Sequence, residues 1–208
     1  MAKRILSRDD IFIIDTDKPF GNMGCVIMAS GFGKRFGDNK LMALFKGRPI
    51  IENVIDATEG VFGKRIVVTR YTDVADLCKE RKTETVIHNF QNKNDTIRLG
   101  IEKMQNIDGC MFCPADQPLL KRDTVIALVL SASNEQEYIW RLSSDEKIGA
   151  PVWFPKEYFS ELCALPEDKG GNFITKKYPE KVKYLTVFDK NELFDIDTKE
   201  DLILLEKL

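Results

Sequence analysis

The sequence predicts an α/β fold with a mostly parallel central sheet covered by helices on both faces. Short apolar runs alternate several times with longer segments of helical period, the pattern of parallel strands joined by crossover helices. The strongest early run, Cys25 to Ala29, has no polar alternation, as expected of a strand buried on both sides. No stretch rich in Pro, Gly or Ser divides the 208 residues, so one domain is expected.

Taken in order, residues 1–22 precede the first core strand and read as an N-terminal appendage. Within it Ile11-Phe12-Ile13-Ile14 suits an edge strand or an arm on a partner. The domain proper is placed at 23–208. Its first half, about 23–120, carries Cys25 to Ala29, then a helix opened by Pro49 and followed by Ile50, Ile51, Val54 and Ile55, since proline suits the first helical position. Arg65 to Thr69 is a buried strand, Thr72 caps a short helix, and Thr85 to Ile87 is a third strand. Asp95 to Met104 reads as an amphipathic helix and Gly109 to Cys113 as a fourth strand, ending at Pro114-Ala115-Asp116-Gln117-Pro118. The second half, about 121–208, has a helix at Thr124 to Ser131 and a strand at Tyr138 to Leu142. A turn at Gly149 then leads to a strand at Pro151 to Phe154, followed by a helix at Lys156 to Leu165 and a break at Asp168-Lys169-Gly170-Gly171. The strand Val182 to Val187 precedes a last helix, opened by the capping-box pattern Thr198-Lys199-Glu200-Asp201.

The chemistry gathers where Cys25 to Ala29 empties into Ser30-Gly31-Phe32-Gly33-Lys34-Arg35-Phe36-Gly37-Asp38-Asn39-Lys40. Glycines let a backbone turn sharply and bring its N–H groups to a ligand, and such groups form nests for anions. Arg35 adds a planar fork, and Lys34 and Lys40 add point charges, suited to phosphate oxygens. Phe36 stands where both the Walker pattern and the Rossmann fingerprint need a glycine, so neither of those loops is present. Open α/β sheets bind ligands at the carboxyl ends of their strands. Asp116 and Asp197 both follow predicted strand ends, and two carboxylates with substrate phosphate suit one Mg²⁺ ion. Each aspartate would otherwise be an ordinary turn or cap residue, a reading that weighs more for Asp195.

Other features narrow the function. Hydrophobic residues are 43% and charged residues 31%, with a net charge of -2, so there is no basic field for nucleic acid. No apolar run is long enough to span a bilayer, and the odd count of five cysteines fits reduced thiols in a cytoplasmic protein. The single histidine, His88, argues against a histidine metal site or a Ser-His-Asp triad. Cys110 and Cys113 lie three apart on a strand and face opposite sides, so they should not chelate zinc or act as a redox pair.

Six blocks, taken together, resemble a known family. Met28-Ala29-Ser30-Gly31 with Gly33, Arg35, Gly37 and Lys40 is similar to Leu-Ala-Ala-Gly-x-x-x-Arg-Met-Gly-x-x-Lys of the MobA-like NTP transferases. Pro114 to Leu119 resembles that family's Gly-Asp-x-Pro-Leu metal motif, and Thr96-Ile97-Arg98-Leu99-Gly100-Ile101 its Ser-Leu-Arg-x-Gly-Leu helix. Gly149 to Phe154, Asp168 to Gly171 and Asp195 to Leu202 resemble three further blocks, in the right order, and with the Thr96 to Ile101 helix they are most like those of the molybdenum cofactor cytidylyltransferase branch.

The resemblance implies a three-layer αβα, Rossmann-like nucleotidyltransferase fold. It also implies Mg²⁺-dependent transfer of CMP from CTP to the terminal phosphate of a molybdopterin-type acceptor, with pyrophosphate released and a molybdenum hydroxylase as downstream partner. Arg35, Lys40 and Asp116 would be catalytic. Met28, Ala29, Ser30, Gly31, Gly33 and Lys34, with Arg35 and Lys40, would bind the nucleotide. Asp116 and Asp197 would bind the metal, and Asn94, Arg98, Gly149 and Asp168 would face the acceptor. Ser30 replaces the second alanine of the family's pair, where the guanylyl branch has glycine; Asn94 and Ala150 also depart from the usual residues. A sugar- or polyol-phosphate nucleotidyltransferase and a non-catalytic cofactor-delivery module are the competing readings.

Overall fold

The computed structural model describes residues 3–5, 20–33 and 35–207. Ile11 to Ile14 and Lys34 lie outside these. The strands are β1 (Lys3–Ile5), β2 (Phe20–Ala29), β3 (Leu44–Phe45), β4 (Arg48–Pro49), β5 (Phe62–Thr69), β6 (Glu84–Ile87), β7 (Gly109–Pro114), β8 (Ile139–Ser143), β9 (Ile148–Pro155) and β10 (Val182–Thr186). The helices are α1 (Ile50–Thr58), α2 (Thr72–Glu80), α3 (Lys93–Lys103), α4 (Arg122–Asn134), α5 (Phe159–Cys163), α6 (Asn172–Lys177) and α7 (Lys199–Glu206). Eight strands form one sheet in the order β1-β10-β8-β9-β7-β2-β5-β6, and β3 and β4 make a separate two-stranded ladder. Within the large sheet β9 runs antiparallel to both β7 and β8, while the other neighbours are parallel.

Period-2 alternation divides the core between the two faces. Cys25 and Ile27 of β2 pack with Ile51 and Ile55 of α1 and Val125 and Leu128 of α4. Val26, between them, packs with Ile97 and Ile101 of α3, Leu162 of α5 and Ile174 of α6. Cys113 belongs to the first core and Cys110 to the second, so this pair does face opposite ways. A third, smaller cluster of Phe36, Phe45, Ile50, Ile196 and Leu205 pins the glycine-rich loop against the β3–β4 ladder and α7.

Several boundaries differ from expectation. Pro49 is the residue before α1 and ends β4; with φ of -50° and ψ of 135° it sits outside the helix it precedes. Thr72 is the first residue of α2 and Tyr71 holds the cap position without a side-chain bond, so Thr72 does not cap. Gly149 forms no turn and lies inside β9, because pairing with β8 extends to Ser143↔Ile148. The helix expected from Lys156 to Leu165 is a 3₁₀ turn, Lys156–Tyr158, followed by the short α5. The segment Asp168 to Gly171 leads into α6.

From β2 the chain winds outward through β5 to β6, then crosses to β7 on the other side of β2. The order therefore reverses between β2 and β7, and the crevice above their carboxyl ends is where an open sheet takes a ligand.

Candidate active site

A cleft of about 1420 Å³ opens at that reversal. Met28, Ser30, Gly31, Gly33, Arg35 and Lys40 line it from the β2 side, and Asp116, from the turn after β7, and Asp197, just before α7, line it opposite. Gly33 (φ 55°) and Gly37 (φ 86°) occupy the left-handed region that side chains resist. The N–H groups of Phe36 and Gly37 both donate to the Gly33 carbonyl, at 2.8 and 3.1 Å. The loop is thereby folded tightly, with Phe36 buried as its anchor.

Lys40 is the centre of the charge arrangement. The residue opens a 3₁₀ turn capped by Asn39 and is only 8% exposed. Its Nζ donates to Asp116 Oδ2 (2.5 Å), the Ile196 carbonyl (2.7 Å) and Asp197 Oδ1 (3.2 Å). Burial pulls the ammonium pKa down, but the two carboxylates outweigh it and leave the pKa above its ordinary 10.5, so Lys40 is charged. Arg35 Nη2 donates to Asp197 Oδ2 at 2.7 Å from an exposed position. The Ile196 N–H donates to the Asp116 carbonyl at 3.0 Å, which ties the two acid-bearing segments together.

A second layer supports the loop. Gln117 Nε2 donates to Asp195 Oδ1 (2.8 Å). Burial, then the Asp116 charge, raises the Asp195 pKa, while the Gln117 bond opposes the rise. From the end of β5, Arg70 Nε donates to the Ser30 carbonyl (2.8 Å) and the Tyr71 hydroxyl to the Gly31 carbonyl (2.7 Å). Ser30 Oγ donates to the Val68 carbonyl (3.0 Å) and lies 2.8 Å from His88 Nε2. The Phe90 N–H donates to His88 Nδ1 at 3.2 Å. These bonds select the neutral ring with the proton on Nε2, donating to Ser30. Burial, then the Arg70 charge, lowers the His88 pKa from 6.5, with Asp95 opposing.

The structure thus brings together Met28, Ser30, Gly31, Gly33, Arg35, Lys40, Asp116 and Asp197, and Gly149 and Asp168 line the same cleft. Ala29 is fully buried in the first core and does not reach the cleft, because the alternation turns its side chain into the sheet's packed face. Asn94 and Arg98, expected to face the acceptor, are not brought to the cleft either. Asn94 Nδ2 donates to the Leu165 carbonyl (3.0 Å), joining α3 to the segment after α5. The Arg98 guanidinium bonds to Asp95 and Glu102 on its own helix, and neither residue lines the cleft. Sequence reasoning missed Arg70, Gln117, Asp195 and Arg141, all brought to the site by tertiary contacts or strand register. The one available signal was position just past a strand end, for Arg70; Asp195 and Asp197 follow a 3₁₀ turn, Lys190–Leu193, and not the strand end expected before Asp197.

The family model for the MobA-like NTP transferase domain matches residues 25–182. A curated relative from Aquifex aeolicus (strain VF5), "Probable molybdenum cofactor guanylyltransferase", is 25% identical over 191 residues, covering 86% of this chain and 87% of that protein. The crystal structure of Rv0371c from Mycobacterium tuberculosis H37Rv superposes with a TM-score of 0.77 at 20% identity, over 90% of this chain and 98% of that one. A structure of the same protein in complex with manganese gives 0.74 at 19% identity, with the same coverage of both chains.

Proposed function

The chain belongs to the MobA-like NTP transferase family and is a nucleotidyltransferase, and from that premise we propose that it transfers CMP from CTP to the terminal phosphate of a molybdopterin-type acceptor, releasing pyrophosphate. The observation that carries this reading is the Lys40 ammonium, flanked by Asp116 and Asp197 beneath the glycine loop. The acceptor class rests on the Aquifex relative's name and on the sequence blocks similar to the family's acceptor side.

A phosphate monoester has a second pKa near ~6 and is largely a dianion at neutral pH, so attack on the α-phosphorus requires no general base. Catalysis then consists of positioning and charge neutralisation. Gly31, Gly33 and Lys34 hold the triphosphate, and Arg35 and Lys40 stabilise charge on the α-phosphate and the departing pyrophosphate. The donor set fits a hard divalent cation: two carboxylates and a backbone carbonyl already converge on one positive charge, Lys40 Nζ. Asp116 and Asp197 would hold Mg²⁺; Rv0371c, which shares this fold, has a structure in complex with manganese. When bound, the ion would neutralise triphosphate charge and fix its orientation.

Ser30 supports CTP. Its side chain and its bonds to Val68 and His88 occupy space at the edge of the base pocket that a glycine would leave open, which favours a pyrimidine. A second reading, GTP, is favoured by the name of the Aquifex relative. Pyrophosphate release from each of the four NTPs, with Mg²⁺ and molybdopterin, tests both. CTP should turn over fastest. GTP as the fastest substrate would assign the guanylyl branch, and no turnover of any NTP would favour a binding module. Asp116→Asn should lower the rate by about 10²-fold or more; full activity in that variant would remove the metal role.

A further inference from the structure

Arg141 is a charge where the sheet pattern calls for an apolar residue. On β8, Trp140 and Leu142 enter the first core and Ile139 the second, so the period of two sets Arg141 on the second face. It pairs in register with Val152 of β9, which pairs in turn with Phe112 of β7, and both of those neighbours are core residues of that face.

The guanidinium is poorly compensated. Nη1 reaches Thr175 Oγ1 and Nη2 the Gly149 carbonyl, both at 3.4 Å, beyond the usual hydrogen-bond range. Nε is buried with no partner, and no carboxylate pairs with Arg141 among the described residues. Burial holds its pKa below the ordinary value, with only Tyr184 opposing. Even half-buried, as Arg141 is, a cation without a counter-charge costs some stability, so the fold gains little by keeping it. What compensates the charge can come from the cleft, which Arg141 lines together with Lys176.

The register separates Arg141 from the catalytic centre. β8 and β7 lie on either side of β9, and Asp116 is four residues beyond Phe112. Two strand spacings across and four residues along place the two Cα atoms roughly 16 Å apart. Phe112, Val152 and Phe154 line the cleft wall beside Arg141, with the two phenylalanine rings edge to face at 5.9 Å.

We propose that Arg141 determines acceptor specificity: it holds an electron-rich oxygen or sulfur group of the acceptor distinct from the reacting phosphate, with the acceptor's ring body lying over Phe112 and Val152. This rests on the nucleotidyl-transfer reading above, and the tests separate the two.

Arg141→Met keeps length and removes charge, and Arg141→Lys restores a point charge without the fork. With CTP and molybdopterin, Arg141→Met should raise the acceptor KM about 10- to 100-fold while the CTP KM stays within about twofold; Arg141→Lys should recover part of the loss. An unchanged acceptor KM would overturn the proposal. A second arm does not depend on acceptor identity. Inorganic phosphate, added to protein already holding nucleoside triphosphate and Mg²⁺, should raise the Tm of wild type and not of Arg141→Met. Equal shifts in the two proteins would overturn it. The variant's own Tm should match or exceed wild type, because an uncompensated charge has gone; a fall of several degrees would assign Arg141 a structural role instead. Should wild type fail to use molybdopterin, the acceptor reading falls, and the phosphate arm still decides on Arg141.

Discussion

His88 shows how a residue outside the glycine-rich loop can set the shape of that loop's start. It accepts from the Phe90 N–H through Nδ1 and meets Ser30 through Nε2, so it bridges β6, the loop after it, and the start of the glycine loop. Only the neutral ring can do this, because a protonated Nδ1 cannot accept. Its pKa lies below 6.5 in the fold, through burial first and Arg70 second. The sign follows from linkage: a depressed folded pKa gives stability that is complete above the unfolded value, near 6.5, and is lost as pH falls through the folded one. His88 is the only histidine, so its ring signals in an NMR titration are unambiguous. The expected midpoint is below 6.5, with Tm falling over the same acid range; a midpoint at or above 6.5 would contradict the bond network. At this scale the glycines, Arg35, Lys40 and Asp116 were legible because their types are unusual together just past a strand. His88, by contrast, read as a bland loop residue, and Asp195 as a cap. Their roles come from Ser30 and Gln117, distant in sequence from each.

The element that matters most to the site, after the β2 strand and its loop, is α7. Its first turn is a capping box: Thr198 Oγ1 accepts from the Asp201 N–H at 3.1 Å, and Asp201 Oδ2 accepts from the Thr198 N–H at 2.7 Å. The same Asp201 oxygen accepts from the Asp197 N–H at 2.9 Å. The cap therefore also holds the backbone of a proposed metal ligand. Burial pushes the Asp201 carboxyl up, but these N–H groups and Thr198 outweigh it and bring the pKa below the ordinary value. Asp201→Ala should cost about 1 kcal/mol by urea denaturation and should lower kcat for pyrophosphate release through misplacement of Asp197. Lost stability with intact turnover would confine the cap to a structural role. This element was readable from Thr198-Lys199-Glu200-Asp201 because capping chemistry is local. Helix α6 was not, since six residues are too few for a periodic signal, and Gly149 read as a turn because its pairing partner lies on β8.

On the scale of the whole molecule, one sheet joins the two halves. β9, from the second half, pairs with β7 of the first, and Trp140 and Trp153 face each other across β8 and β9 while packed in the first core. We expect one cooperative unit: in urea, tryptophan fluorescence and far-UV circular dichroism should report a single coincident transition. Two separated transitions would show that the halves fold independently. The sequence by itself determined the alternating architecture, the glycine-rich basic loop after β2, the acid just past β7 and the family, because periodicity, turn residues and motif spacing are written in neighbouring positions. Only the tertiary structure decided that Ala29, Asn94 and Arg98 stand outside the cleft and that Arg141 stands in it. Which face a side chain takes, and what it meets there, depends on strand order and register between segments far apart in the chain, and the chain does not encode that locally.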